Sequence, residues 1–113
     1  MPPPPPVAAS ILERVTTEFS TVRLGSRSAE ALVARVPQGF YQNTARPVLG
    51  RTFAAEDFSG TPTVCIISYP LWESLGSGES DAPLVLGGTS LRVIGVMPED
   101  FNIPAGAQVW IPL

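Results

Sequence analysis

The feature that most constrains the fold of this chain is an apolar run that leads directly into a helix start signal. Residues 63–68 read Thr-Val-Cys-Ile-Ile-Ser, and nearly every one is β-branched or apolar, as in a strand covered on both faces. Ser68 can cap a helix over residues 69–75, with Pro70 in its first turn and Gly76 in the left-handed position at its end. Followed by further strands, this arrangement is of the βαβ type.

A hairpin is predicted before this unit. Residues 19–24 alternate between polar and apolar positions and end at Gly25. A polar loop is expected over residues 26–30, and residues 31–36 return as a second strand that stops at Pro37.

A second hairpin is predicted after the helix. Residues 84–86 and 91–97 form its strands, and Gly87-Gly88 favours a tight turn because both central positions need a positive φ. Residues 109–111 form the last strand. Short turns or loosely helical segments are expected over residues 7–15, 39–44, 54–58 and 98–101. The predicted class is α+β, strand-rich with one or two short helices.

Composition argues against an enzyme and predicts no cofactor. The 113 residues contain no histidine, and all seven basic residues are arginine. The usual general base, the commonest zinc ligand and the lysine of a phosphate-binding loop are therefore missing. The net charge of −3 also has the wrong sign for a nucleic-acid partner.

The residues that could carry chemistry each have a simpler interpretation. Cys65 is expected to be a small apolar residue within its strand, since no basic neighbour is evident to activate it. The acidic pairs Glu56-Asp57 and Glu99-Asp100 are expected to be solvated turn residues and not the facing carboxylates of a glycosidase or a calcium site.

Two arginines and two tryptophans have similar alternatives. Arg46 and Arg51 could bind an anion, but hydrogen bonds to loop carbonyls or an ion pair with an acid are favoured. Trp72 and Trp110 are expected in the core and not as exposed binding anchors. No metal site is predicted.

The ends of the chain suggest a piece of a longer protein. Residues 1–6 are predicted to form a polyproline tail, which could also serve as a ligand for an aromatic groove, and residues 7–113 to form one partial domain. No apolar stretch reaches the length of a membrane helix, and the first residues lack the pattern of a secretory signal. Taken alone, the chain would stay in the cytoplasm.

Four motifs in order along the chain resemble the MacB-like periplasmic core domain of ABC-transporter permeases, within the FtsX-like permease superfamily. The most specific is residues 46–53, Arg-Pro-Val-Leu-Gly-Arg-Thr-Phe. Residues 64–72 resemble the family's strand that enters a helix, residues 91–101 its "VIGVMP" segment, and residues 109–113 its "WVPL" segment. The resemblance covers most of residues 19–113.

The resemblance implies a porter-like subdomain that stands outside the cell membrane. It implies that the domain passes the motion of membrane helices to an exported substrate or a partner protein, while a separate cytoplasmic subunit or domain hydrolyses ATP. The partners would be the rest of the permease and its dimer mate, with membrane contact only through transmembrane helices outside this chain. The motif residues would be structural: Arg46, Pro47, Gly50, Arg51, Tyr69, Trp72, Gly95, Met97, Pro98, Phe101 and Trp110.

In this interpretation Gly50, Gly95 and Pro98 shape turns, and the aromatic motif residues fill the core between sheet and helix. One alternative is a free-standing soluble protein-binding module that uses the proline tail or an exposed strand edge. The edges expected to be open are residues 19–24 and 109–111. Another alternative is a small hydrolase that uses Glu56 or Glu99.

Overall fold

The computed structural model describes residues 15–25, 27–37, 46–75, 83–101 and 105–112, and these form one sheet with a short helix. Two short helical elements accompany the strands: a 3₁₀ turn over Ala55–Phe58 and the helix α1 over Tyr69–Ser74. The strands are β1 (Thr16–Leu24), β2 (Arg27–Val36), β3 (Leu49–Gly50), β4 (Val64–Ser68), β5 (Leu84–Leu86), β6 (Thr89–Met97) and β7 (Ala107–Pro112).

The strand pairings form a closed circuit. The order across the sheet is β3-β6-β4-β7-β2-β1-β5, and β5 also pairs with β6. Six strands therefore form a closed ring of pairings, and β3 is attached to this ring through β6. The β4–β6 and β2–β7 pairs are parallel and the others are antiparallel. This mixed, strand-rich arrangement is the predicted α+β class.

One side of the sheet packs against the helix. This helix-side core takes alternate residues from the strands together with Leu71 and Leu75 from α1 and its end. Its buried members are Val22, Leu24, Ala31, Val33, Cys65, Ile67, Leu71, Leu75, Leu84, Leu86, Leu91, Val96, Val109 and Ile111.

The opposite side of the sheet carries a second, smaller core. Its buried members, called the far-side core below, are Ala34, Val36, Ile66, Met97, Phe101, Ala107 and Trp110. A register shift between Cys65 and Ile66 in the β4–β6 pair leaves Ile94 as an extra residue in β6. This bulge changes the alternation of β6, so that Val93 and Val96 both face the helix side while Met97 faces the far side.

The predicted strand–helix unit is confirmed. All five residues of β4 are buried, as expected for a strand covered on both faces. The Ser68 hydroxyl accepts a hydrogen bond from the backbone N–H of Leu71 at 3.2 Å, and Pro70 lies in the first turn of α1. The β5–β6 hairpin is also confirmed, with φ of 55° at Gly87 and 87° at Gly88.

Two predictions about strands are wrong. Residues 27–30 are not a loop, because β2 begins at Arg27, which pairs with Leu24, the last residue of β1. Residues 109–111 are not an open edge, because β7 pairs with β2 on one side and with β4 on the other. The predicted polyproline tail over residues 1–6, the turn over residues 39–44 and Gly76 lie outside the described residues. So does the expected helical segment over residues 7–15, except Val15, which belongs to no helix.

Candidate functional site

The motif residues Gly50, Gly95 and Trp110 lie in one row across the sheet. Gly50 pairs with Gly95, Gly95 with Ile66, Ile66 with Trp110, and Trp110 with Ala34. Five residues from five separate segments of the sequence thus come together across five strands. The row has glycines at the β3 end, Ile66 at its centre and the fully buried Trp110 beside Ala34 at the β2 end.

The two glycines are placed where the backbones of β3 and β6 approach closely. The expectation that Gly95 shapes a turn is wrong, because this residue lies within β6. A Cβ atom on Gly50 would lie 2.8 Å from the carbonyl carbon of Ile94 and 2.9 Å from the Cα of Gly95. A Cβ atom on Gly95 would collide with the carbonyl oxygen of Arg51. Backbone hydrogen bonds from Val48 to Val96 (2.7 Å) and from Arg51 to Ile94 (2.9 Å) hold this contact. Gly50 also has a φ of 74°, which favours glycine.

Arg51 and Asp57 form an ion pair that closes the loop after β3. The Arg51 Nη1 donates to the Asp57 Oδ2 at 2.9 Å and to the Thr52 carbonyl at 3.0 Å. The same Asp57 oxygen accepts from the backbone N–H of Ala54 at 2.7 Å, at the start of the 3₁₀ turn. Arg51 therefore makes the interactions that the sequence favoured, a loop carbonyl and an acid.

The electrostatics of this pair follow from the hydrogen bonds. The hydrogen bond from Arg51 lowers the pKa of Asp57, against the opposing effect of burial, and the Ala54 N–H lowers it further. The same hydrogen bond raises the pKa of Arg51. The Asp57 side chain is only 10% exposed, so the expectation of a solvated acid is wrong for this residue. Its partner Arg51 is half exposed.

The aromatic motif residues divide between the two sides of the sheet. Tyr69 and Trp72 are half-buried against the helix-side core, with ring centroids 5.5 Å apart. Phe101 and Trp110 lie in the far-side core, with ring centroids 5.3 Å apart at 64°. The expectation that all four fill the space between sheet and helix is wrong for the second pair, which packs on the face away from α1.

The remaining motif residues lie around these contacts. Met97 is fully buried in the far-side core, and the Pro98 carbonyl accepts from the Phe101 N–H at 3.0 Å in the predicted turn. Arg46 is exposed, and Pro47 is half-buried. In the same motif, residues 46–53, Val48 is 50% exposed and Leu49 is 47% exposed. A structural role for the motif residues as a set stays a prediction.

The two acidic pairs lie in different elements, and the pocket beside one pair does not include the other. Glu99 and Asp100 line an open pocket of about 410 Å³ with Ser68, Pro70, Gly106 and Gln108, at the end of the sheet where α1 begins. Glu56 is exposed in the 3₁₀ turn, in a separate part of the described chain. Within the described ranges, no three residues among His, Cys, Asp and Glu lie close enough together to hold a metal ion.

Cys65 is the small apolar residue that the sequence predicts. Its side chain is fully buried in the helix-side core. Burial raises the pKa of its thiol well above the ordinary value, so the reactive thiolate is suppressed. In the part of the chain that the structure describes, no helix has both the length and the apolar character needed to cross a membrane.

Two features were not anticipated from the sequence. The Asp57 carboxylate accepts a hydrogen bond from the Ala54 N–H and so caps the start of the 3₁₀ turn. The local feature of the sequence that could have predicted this cap is an acid at the third position of the turn. Phe19 is 72% exposed in the middle of β1, on the face that it shares with the exposed Thr21 and Arg23, so the alternation of the strand was the available signal.

The sequence matches the family described as MacB-like periplasmic core domain over residues 3–113. No curated protein gives a significant match. Solved structures add a similarity of fold. The extracellular domain of the noncanonic ABC-type transporter YknZ from Gram-positive bacteria superposes with a TM-score of 0.73 at 23% identity, over 87% of this chain and 51% of that one.

Two further structures agree with it. The periplasmic region of MacB from Actinobacillus actinomycetemcomitans gives a TM-score of 0.72 at 15% identity, over 87% of this chain and 45% of that one. A domain of a permease protein from Porphyromonas gingivalis gives 0.67 at 16% identity, over 87% and 44%. The chain therefore spans about half the length of the structures that it matches.

Proposed function

Because this chain belongs to the MacB-like periplasmic core domain family, we propose that it is a non-catalytic extracytoplasmic part of an ABC-transporter permease. In this proposal the domain couples the motion of membrane helices to an exported substrate or a partner protein. Its partners are the rest of the permease, a dimer mate and, indirectly, a cytoplasmic ATPase. It stands on the periplasmic or extracytoplasmic face of the cell membrane.

The observation that carries the proposal is the row from Gly50 through Gly95 and Trp110. The motif residues of this row make backbone and core contacts and bring no nucleophile, acid or base to a common cleft. Because packed interiors are dense and transmit strain, a sheet tied in this way moves as one body. Such a body suits the transmission of a displacement and not a chemical step.

The ATPase rate of the reconstituted permease tests the coupling without knowledge of the substrate. We expect Gly95→Ala, which disturbs the β3–β6 contact, to change the rate of ATP hydrolysis by the cytoplasmic subunit at unchanged permease levels in the membrane. Gly60→Ala is the matched control, because a Cβ atom at Gly60 meets nothing within 4 Å. Equal rates for wild type and Gly95→Ala would contradict the coupling.

A second measurement tests the non-catalytic part. The purified 113-residue chain is expected to show no turnover of ATP or of ester, peptide and glycoside substrates. Turnover that disappears in Glu56→Gln or Glu99→Gln would overturn this part and support the hydrolase alternative.

A further inference from the structure

Strand β1 has an edge that is covered along only part of its length. One side of β1 pairs with β2 from Thr16 to Leu24. On the other side, β5 pairs only with Val22–Leu24. Among the strands that the structure describes, none pairs with residues 16–21 on that side. A half-open strand edge offers backbone groups to an additional strand.

An exposed aromatic residue lies in the middle of this open edge. Phe19 is 72% exposed, more than Val48 or Leu49, the other large apolar residues that the described chain exposes. Phe19 pairs with Leu32 of β2, and Leu32 pairs with Ala107 of β7. Since Ala107 belongs to the far-side core, Phe19 continues the apolar side of the sheet to its edge. A side chain placed directly opposite Phe19 on an added strand would pack beside its ring on this face.

The open edge lacks the usual protection against pairing. Proteins prevent further pairing at such edges with proline, lysine or uncompensated charge. Residues 16–21 read Thr-Thr-Glu-Phe-Ser-Thr, which contains no proline or lysine. The single charge, Glu18, lies 3.6 Å from the Arg35 Nη2 of its own sheet. An approaching strand therefore meets little net charge.

We propose that a second copy of this chain pairs with the open edge of β1 in antiparallel orientation, with Phe19 beside Phe19 of the second copy. A two-fold axis between the two phenylalanines makes the contact self-complementary. In this register Glu18 lies beside Ser20 of the second copy, and Thr17 beside Thr21. A register centred on Glu18 would instead oppose two like charges, which is destabilising. The charge pattern thus disfavours the register centred on Glu18, and the register centred on Phe19 is the one that places the two exposed rings side by side.

The extent of the edge sets the strength of the contact. The register joins residues 17–21 of each copy, because β5 already covers β1 from Val22 onward. So short a contact falls below the roughly 1,200 Å² at which stable interfaces begin, so the dimer is reversible. This proposal does not depend on the proposed function, because it concerns only the strand edge.

Sedimentation velocity of the 113-residue chain over a wide concentration range tests the proposal. We expect a reversible shift from monomer to dimer, and an association constant at least about tenfold lower for Phe19→Lys, since lysine blocks an edge. Val48→Lys is the matched control, an exposed apolar residue beside β3 that should leave the association unchanged. A chain that stays monomeric throughout, or a dimer that is equally sensitive to both substitutions, overturns the proposal.

Disulfide trapping gives an independent readout of the register. The native thiol of Cys65 is buried, so a thiol introduced at residue 19 is the accessible one. Under mild oxidation by dissolved oxygen, Phe19→Cys is expected to form a covalent dimer far faster than Val48→Cys. Circular dichroism confirms that each variant is folded. Equal trapping of the two variants would show random collision and contradict the register.

Discussion

Gly50 and Gly95 lie directly opposite each other in the β3–β6 pair. A Cβ atom on Gly50 would collide with the backbone of β6, and one on Gly95 with the backbone of Arg51, which follows β3. The contact attaches β3 and the loop after it to the rest of the sheet. The two glycines are far apart in the sequence. The close approach of the two backbones gives one physical reason why neither position accommodates a side chain.

Gly50→Ala is expected to destabilise the domain strongly. Alanine must adopt the positive φ, which costs about 1–2 kcal/mol, and its Cβ must push β6 away, which adds about 1–3 kcal/mol. Gly60 has a similar φ of 72° but open space around it, so Gly60→Ala should show only the first cost. Urea unfolding followed by circular dichroism measures both. Equal losses for the two variants would mean that the close approach contributes nothing.

Asp57→Asn is expected to lower the free energy of unfolding at neutral pH by about 1–2 kcal/mol, because hydrogen bonds to a charged acceptor are lost or weakened. Since folding lowers the pKa of Asp57, its contribution is fully present above the ordinary aspartate pKa of about 3.9. The contribution disappears as the pH falls through the lowered value in the folded protein. The stability difference between wild type and Asp57→Asn should therefore be constant near neutrality and shrink in acid.

Urea unfolding at a series of pH values measures this difference. Glu56→Gln, at the exposed neighbouring position, is the control and should stay within about 0.5 kcal/mol of wild type. A difference between wild type and Asp57→Asn that grows on acidification would contradict the assigned ion pair.

Ser68→Ala is expected to cost about 1 kcal/mol, the usual loss when a helix N-cap is removed. Ser68 joins the end of β4 to α1, and its hydroxyl is the acceptor for the Leu71 N–H. Ser74→Ala removes a hydroxyl that donates to the Leu71 carbonyl near the other end of α1, and it should cost less. Thermal unfolding of the two variants checks the order. A larger loss for Ser74→Ala would disprove the capping role.

The elements predictable from the sequence are those with local causes. Strand β4 follows from its β-branched composition, α1 from Ser68 and Pro70, and the β5–β6 turn from its two glycines. The start of β2 is not predictable from residues 27–30 alone, because these residues are mostly exposed and polar. They form a strand because they pair with β1, and their own propensity does not indicate it.

Other features depend on contacts between distant parts of the chain. Sequence patterning marks Phe101 and Trp110 as core residues, but their placement on the side away from α1 depends on the register shift in β6 and on the position of β7. From the sequence, Arg51 could pair with any of several acids or loop carbonyls. The path of the loop after β3 brings Asp57 to it. Local chemistry thus explains the elements, and nonlocal pairing explains their arrangement.

The central place of β7 has a consequence for the order of assembly. Until β7 is in place, β2 and the wholly buried β4 each lack a neighbour on one side, although β1, β5 and β6 already connect them. A folding intermediate without β7 therefore exposes two unpaired strand edges, a condition that favours aggregation. Docking of β7 between them closes the circuit and removes both edges at once.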